Sequence, residues 1–295
     1  MEPQDVLAAR FEGRRPHLRA VAYRMLGSLT DAEDAVQEAW LRLARADVDG
    51  IDNLEGWLTT VVGRVCLDML RVRKTRREEP MEDRLPDPVV SREDVTDPEQ
   101  QALLADSVGS ALLVVLASLT PAERLAFVLH DLFGLPFEQI APIVDRTPVA
   151  AKKLASRARQ RVRGATPIPD PDLVGQRRVV DAFLAAARGG DLDALLAILD
   201  PDVVLRVDRG TLADGMRTIR GVRAVAGLAA TFQRMAIAAV THPVLVNGTA
   251  GLVNTIDSRP ISIMSFTVAG GRIAAIDILS DADRLARVDL THVGL

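Results

Sequence analysis

The sequence predicts a multidomain chain: two all-α helical domains followed by an α+β domain with an antiparallel sheet. Three observations carry this. Apolar residues recur at helical spacing over about residues 5–77 and again over about 101–163. A proline-bearing acidic stretch separates the two regions. From about Val174 the pattern becomes two helices and then strand segments, with Asn247-Gly248 and Gly270-Gly271 as hairpin turn signals. Such an order packs the helices on one face of the sheet.

The 295 residues suffice for two or three compact domains, each with its own core. At 48% hydrophobic and only 3% aromatic residues, those cores must be built from Leu, Val, Ile and Ala. A single cysteine, Cys66, excludes an internal disulfide and suits the cytoplasm. Four scattered histidines give no ligand spacing, so neither a metal nor a cofactor is expected. No charged-then-apolar leader and no apolar run of spanning length is present, so no membrane contact is expected. Net charge is only −4, yet it is arranged in blocks. Arg146, Lys152, Lys153, Arg157, Arg159, Arg161 and Arg163 fall within 146–163 with no acid among them. Arg71, Arg73, Lys74, Arg76 and Arg77 form a second block, and 78–106 is acidic, relieved only by Arg84 and Arg92. Local blocks, more than the overall pI, decide partners.

In the first region Leu18, Val21, Ala22, Met25 and Leu26 mark a helix that Gly27-Ser28 ends. An acidic helix follows, with Thr30 as its expected cap and Glu33 closing a capping box. Ala32, Ala35, Val36, Ala39 and Leu43 share one face, which leaves Asp34, Gln37, Glu38 and Leu41 projecting elsewhere. An acidic face repels phosphate, so this helix points to a protein partner. After a turn at 50–53, a long helix is expected from Leu54 to Lys74. Trp57, Leu58, Val61, Val62, Val65 and Met69 form its buried stripe, with Thr60, Arg64, Leu67, Arg71 and Lys74 opposite.

In the second region Leu112, Val115, Leu116 and Leu119 form one apolar stripe, and Thr120-Pro121 starts the next helix. Residues 137–144 read as a short helix, Asp145-Arg146 as a turn, and Thr147-Pro148 as the cap and first position of a basic helix. Ala151, Ala155, Ala158 and Val162 face inward, leaving Lys152, Lys153, Ser156, Arg157 and Gln160 outward. This is helix-turn-helix spacing with its charge where DNA needs it. Base contacts are expected near Thr147, Val149, Ala150 and Lys153, while the cations mostly hold phosphates. The long helix and the Arg71–Arg77 block form a second DNA candidate.

Residues 166–171 read as a short stiff linker. Helices are then expected at 175–188 and 191–199, a strand at 203–208 and a helix at 221–235. Strands Val244–Val246, Gly251–Ile256, Ile261–Val268 and Arg272–Leu279 complete the domain.

The run from Thr30 through Trp40 to Leu43 resembles the core-polymerase-binding helix of bacterial extracytoplasmic-function sigma factors, a branch of the sigma-70 family. The Trp57-Leu58 helix is similar to their −10 region and Leu119–Arg163 to their −35-reading region. The resemblance implies that Asp34, Gln37, Glu38 and Leu41 meet the β′ clamp helices of core RNA polymerase, whose β flap is a further partner. It implies −10 DNA contacts from Asp52, Asn53, Thr60, Arg64, Arg71 and Lys74. It implies −35 contacts from Thr147, Val149, Ala150, Lys152, Lys153, Ser156 and Arg157. Val179–Phe183, Gly190-Asp191-Leu192 and Asp200–Val203 resemble SnoaL-like cone domains, which a subgroup of these sigma factors carries as a fused regulator. Leu85, Pro86, Asp87 and Pro88, with Asn247, Gly248 and Gly251, look like that subgroup's motifs and are the residues expected to carry interdomain regulation. The expected domains are 1–78 (region 2), 79–106 (linker), 107–165 (region 4), 166–174 (linker) and 175–288 (SnoaL-like).

Such cones often enclose an apolar pocket, so a small-molecule ligand is a further expected partner. Asp208, His242, Asp257 and Asp277 are the titratable candidates there, Asp277 foremost. A structural or paired aspartate is the favoured reading, no catalytic residue is assigned, and an enzyme is not expected. Two other readings remain: a helix-turn-helix activator, and an isomerase or hydrolase in the C-terminal domain. The first leaves the acidic helix without a role, and the second leaves the basic blocks unexplained.

Overall fold

The computed structural model describes residues 3–46, 51, 53–76, 84–92, 109–165, 167–210, 215–231 and 239–295. The chain divides into two units. One comprises Met1–Glu82, Asp97–Asp106 and Leu113–Ala165, the other Asp83–Thr96, Ser107–Leu112 and Thr166–Leu295.

The first unit begins with α1 (Pro3–Glu12), α2 (Arg15–Leu26), α3 (Leu29–Leu43) and α4 (Leu54–Arg76). Gly27 ends α2 at φ 70°, a left-handed conformation that glycine adopts without Cβ strain, and its N–H donates to the Tyr23 carbonyl. The helix after it starts two residues earlier than expected. Ser28, not Thr30, is the cap, and its hydroxyl accepts from the Asp31 N–H. Glu33 is drawn away from the cap to Arg15 and to Arg19, 3.6 Å away. The inward residues Ala32, Ala35, Val36, Ala39 and Leu43 are wholly buried, so α3 packs against α2 and α4 through small side chains. Along α4 Leu58, Val62 and Val65 are buried as the spacing predicts, whereas Trp57, Val61 and Met69 are half-buried. Cys66, outside the expected stripe, and Leu67, expected on the polar side, are buried too.

The same unit continues through α5 (Ser110–Ser118, from Leu113 onward), α6 (Pro121–Phe127), a π-helical turn at Val128–Leu132, α7 (Phe137–Ile140) and α8 (Pro148–Ala165). Thr120 and Glu123 cap α6 reciprocally. The helix expected over 137–144 closes at Ile140 and passes into turns, after which Asp145 at φ 55° redirects the chain toward the next helix. Ala151, Ala155 and Ala158 are fully buried, so α8 packs closely on α6 and α7. Residues 101–108 of the expected second helical region lie outside the described residues.

The second unit holds α9 (Leu173–Gly189), α10 (Leu192–Ile198), α11 (Val222–Thr231) and the short α12 (Ala282–Leu285). Its strands are β1 (Val90–Ser91), β2 (Leu199–Asp208), β3 (Met216–Arg220), β4 (Val240–Val246), β5 (Thr249–Ile256), β6 (Arg259–Ala269) and β7 (Arg272–Leu279). They form one sheet in the order β1-β4-β5-β6-β7-β2-β3. The sheet is antiparallel except where β2 lies parallel to β7, a departure from the all-antiparallel expectation. β1 and β3 were not foreseen. Residues 232–235 of the expected helix over 221–235 lie outside the described residues.

Alternation along the strands builds two cores. Val203, Leu205, Val207, Leu252, Phe266, Ile276 and Ile278 face α9, α10 and α11 with Val180, Phe183 and Leu195. Val90, Val244, Val246, Val253, Ile263 and Leu279 face the other way, covered by Leu285 and Leu290. The domain therefore runs past residue 288. Gly251 belongs to this packing, since a Cβ there would sit 2.4 Å from Val246 Cγ2. The 166–171 stretch is fastened to the sheet as well. The Asp170 carboxylate accepts from the Gly270 and Gly271 N–H groups, and its own N–H donates to the Val268 carbonyl.

Candidate functional site

On α3 the polar residues form a separate stripe opposite the buried one. Asp34 and Gln37 are exposed, Glu38 is half-buried, and Leu41 is 41% exposed. Their spacing of three and four residues places them on one surface line. Glu38 is oriented by Arg42, whose Nε donates to it at 2.9 Å. An exposed leucine beside two acids and an amide suits a protein partner with a basic rim and an apolar centre.

The two DNA candidates lie together in the first unit. On α4 Arg64 and Arg71 are exposed and Thr60 is half-buried. Asn53 caps this helix, its side-chain oxygen accepting from the Gly56 N–H at 3.0 Å. Asp52 and the Lys74 side chain lie outside the described residues. Across from α4, Thr147, Val149, Lys152, Lys153, Ser156 and Arg157 are exposed on α8 or its cap, and Ala150 is half-buried. Thr147 caps α8 by accepting from the Ala150 N–H. Six of these seven side chains are thus exposed to solvent.

These two regions also touch each other. Arg64 donates to the Pro142 carbonyl at 3.2 Å, and Arg71 approaches Asp145 at 3.9 Å. Deeper in, Arg124 donates to the Met25 carbonyl at 2.8 Å, and a Cβ on Gly63 would sit 3.1 Å from Leu129. Phe133 packs edge-on to His17 and under the Arg24 guanidinium. Burial pushes the His17 imidazole below its ordinary pKa, Arg14 and Arg24 adding to the effect against Glu55.

In the second unit the Leu85–Pro88 segment is held by a network. Arg284 donates to Asp87 and to the Leu85 carbonyl, each at 2.7 Å, and to Asp208 at 2.6 Å. Asp208, only 1% exposed, also accepts from the Leu85 N–H at 2.9 Å. Pro88 is buried and Pro86 half-buried. Val89 is clamped by Asn247, which accepts from its N–H at 2.9 Å and donates its own N–H to its carbonyl at 2.8 Å. The Asn247 amide reaches on to Ser110. Asn247 at φ 51° and Gly248 at φ 77° form the β4–β5 turn that aims this amide. Gly251 acts differently: it makes room for Val246 behind the turn. Sequence reasoning missed Arg284 altogether and read Asp208 only as a titratable candidate. An Asp two residues before a glycine was the one available signal, and its cation lies 76 residues away.

The remaining titratable candidates lie elsewhere on the sheet. Asp277 lies on the covered sheet face and pairs with Arg206 at 2.8 Å, with burial raising its pKa against the lowering effect of Arg206. His242 contacts the Thr255 hydroxyl at 3.0 Å on that face, and Asp257 sits in the β5–β6 turn at φ 49°. Between the helices and the sheet's other face lies a cavity of about 150 Å³, walled chiefly by apolar side chains including Phe183, Leu205, Val225, Ile276 and Ile278. Its polar wall residues are Arg188, Thr241, Asn254 and Ser262, and none of the four titratable candidates lines it. Among the described residues no cluster of His, Cys, Asp or Glu is placed to hold a metal ion, and no helix is long and apolar enough to cross a membrane.

Comparison with known proteins places these surfaces in context. Residues 11–77 match Sigma-70 region 2, and residues 110–162 match Sigma-70 region 4. The chain is 39% identical over 290 residues to the ECF RNA polymerase sigma factor SigJ of Mycobacterium tuberculosis, covering 93% of this chain and 91% of that one. It is 33% identical over 279 residues to the probable ECF RNA polymerase sigma factor SigI of the same species, covering 95% and 94%. A crystal structure of SigJ superposes with a TM-score of 0.76 at 36% identity, covering 94% of this chain and 97% of that one.

Proposed function

The chain belongs to the extracytoplasmic-function RNA polymerase sigma factors, and from that premise we propose how its surfaces divide the work. As a member of that family it binds core RNA polymerase and directs promoter-specific transcription initiation. The observation that carries this is the 39% identity to SigJ across 93% of the chain, with the region 2 and region 4 matches in order. In our reading residues 1–78 act as region 2 and 107–165 as region 4. Asp34, Gln37, Glu38 and Leu41 form the surface for the β′ clamp helices, supported by their exposure on one line of α3. Asn53, Thr60, Arg64 and Arg71, with Asp52 and Lys74, serve the −10 element. The exposed start of α8 serves the −35 element, with Lys152, Lys153 and Arg157 on phosphates and Thr147, Val149 and Ala150 toward bases. Region 4 also offers the surface for the β flap. Core polymerase and promoter DNA place the work in the cytoplasm, with no membrane contact.

The SnoaL-like domain modulates activity in cis by holding the connector between the two DNA-reading regions. The support is the bonding of Leu85, Asp87 and Val89 to Asp208, Arg284 and Asn247. A fixed connector restricts how far those regions separate, and tethering keeps the domain at high local concentration. We assign it no catalytic step.

The test is transcription in vitro by core polymerase with the full chain. Reversing Asp34 and Glu38 to lysine should abolish core binding and initiation while leaving the fold intact by circular dichroism. Core binding at the unaltered level would overturn the α3 assignment. Arg284→Ala should change initiation without changing core affinity. Equal initiation by the two forms would remove the cis-regulatory reading.

A further inference from the structure

The cavity of the second unit has a polar edge whose hydrogen-bond chain ends in donors, and that property selects a ligand. Arg188, exposed at the wall, donates to the Thr241 hydroxyl at 2.9 Å. A guanidinium only donates, so Thr241 accepts from it and passes its own proton to the Asn254 carbonyl oxygen at 2.9 Å. That orients the Asn254 amide nitrogen toward Ser262 Oγ at 3.0 Å and Met264 Sδ at 3.4 Å. The chain of bonds runs one way. It leaves the Ser262 hydroxyl proton at one end and the remaining Arg188 N–H groups at the other, all donors. No described carboxylate pairs with Arg188, whereas each acid facing the opposite sheet surface near Arg206 or Arg284 has its cation. The rest of the wall is apolar, and a volume of about 150 Å³ matches cavities that admit a benzene-sized molecule.

We propose that this cavity binds a small amphipathic carboxylate: a ring or short alkyl body among Phe183, Leu205, Val225 and Ile276, with the acid group on Arg188 and Ser262. The acid supplies the acceptors that the donor edge lacks, and charge-assisted bonds at a partly dry site are the stronger kind. The proposal rests on the regulatory reading of this domain only for its consequence in transcription. Binding itself is independent of that reading.

The experiment is calorimetric titration of the full chain, without polymerase, using benzoate and hexanoate against benzyl alcohol and hexanol. The acids should bind at least tenfold more tightly than the matching alcohols. Arg188→Gln, at an exposed position, should erase that preference. Ala187→Phe, which fills the cavity from α9, should abolish binding of acids and alcohols alike. Equal affinity for acid and alcohol, an acid preference that survives Arg188→Gln, or no binding of any probe at millimolar concentration would each overturn the proposal. Loss of cis-regulation with acid binding intact would instead count against the regulatory reading alone.

Discussion

Arg284 joins the Leu85 and Asp87 segment to the distant Asp208, and its removal isolates the costliest of these groups. Asp208 is 1% exposed, so without its cation the carboxylate is left buried and unbalanced. Arg284→Ala should destabilise the second unit by about 3 kcal/mol, read as a lower urea midpoint, and Arg284→Lys should recover only part because it lacks the planar fork. An unchanged midpoint would refute the role. His17 gives a second residue-scale prediction. Burial holds its folded pKa below the ordinary value, so the unfolded chain takes up the proton first as pH falls. Its contribution is complete above about pH 6.5 and is lost as pH falls from there through the folded pKa. The stability difference between the wild type and His17→Gln should therefore move against the wild type between pH 7.5 and 5, in paired urea titrations, and the opposite slope would exclude the assignment. At this scale the sequence revealed the exposed residues better than the bonded ones. Asp34, Lys153 and Arg157 were legible from helical spacing alone, whereas Asp208 with Arg284 and Asp277 with Arg206 are pairs that no local pattern encodes.

Elements were legible where their own residues decide them. The buried face of α3, the Thr120-Pro121 start of α6 and the alanine face of α8 follow from periodicity and cap chemistry, whereas the capping box expected of Thr30 and Glu33 does not form. Elements that depend on distant partners were not. β1 is two residues long and exists because Val246 and Leu245 pair with it. β3 lacks an apolar alternation, and the parallel pairing of β2 with β7 joins segments about 70 residues apart. The turn before α8 offers a direct test of local chemistry. Asp145 holds φ 55°, where an L residue is strained and glycine is not, so Asp145→Gly should stabilise the first unit by about 1 kcal/mol and raise its melting temperature. A lowered melting temperature would mean that the Asp145 side chain outweighs the strain. If α8 lies on duplex DNA, its exposed cations neutralise phosphates and release counterions. Lys152→Ala and Arg157→Ala should each reduce the slope of log K against log salt by about 0.9. That is measured by anisotropy with a promoter duplex, and an unchanged slope would place the side chain off the backbone.

For the whole molecule the question is reach. Elements named for positions −10 and −35 are about 25 base pairs apart, roughly 85 Å of duplex at about 3.4 Å per base pair. Within the first unit, however, Arg64 lies 3.2 Å from the Pro142 carbonyl and Arg71 lies 3.9 Å from Asp145. Even α4, 23 residues long, spans only about 34 Å. If the two regions serve the elements proposed for them, they cannot do so while these contacts hold; on that proposal the arrangement is a closed state that opens for initiation. Its surface contacts fit that role, since both pairs are exposed and weak. Cysteines placed at Arg64 and Pro142, bridged by a short cleavable bismaleimide, would hold the state shut. The native Cys66 does not interfere, being buried with its thiol pKa pushed well up by that burial. The bridged chain should lose promoter-directed initiation, and cleaving the bridge should restore it to the level of the same variant before bridging. Undiminished initiation by the bridged form would show that the two regions read a promoter without separating.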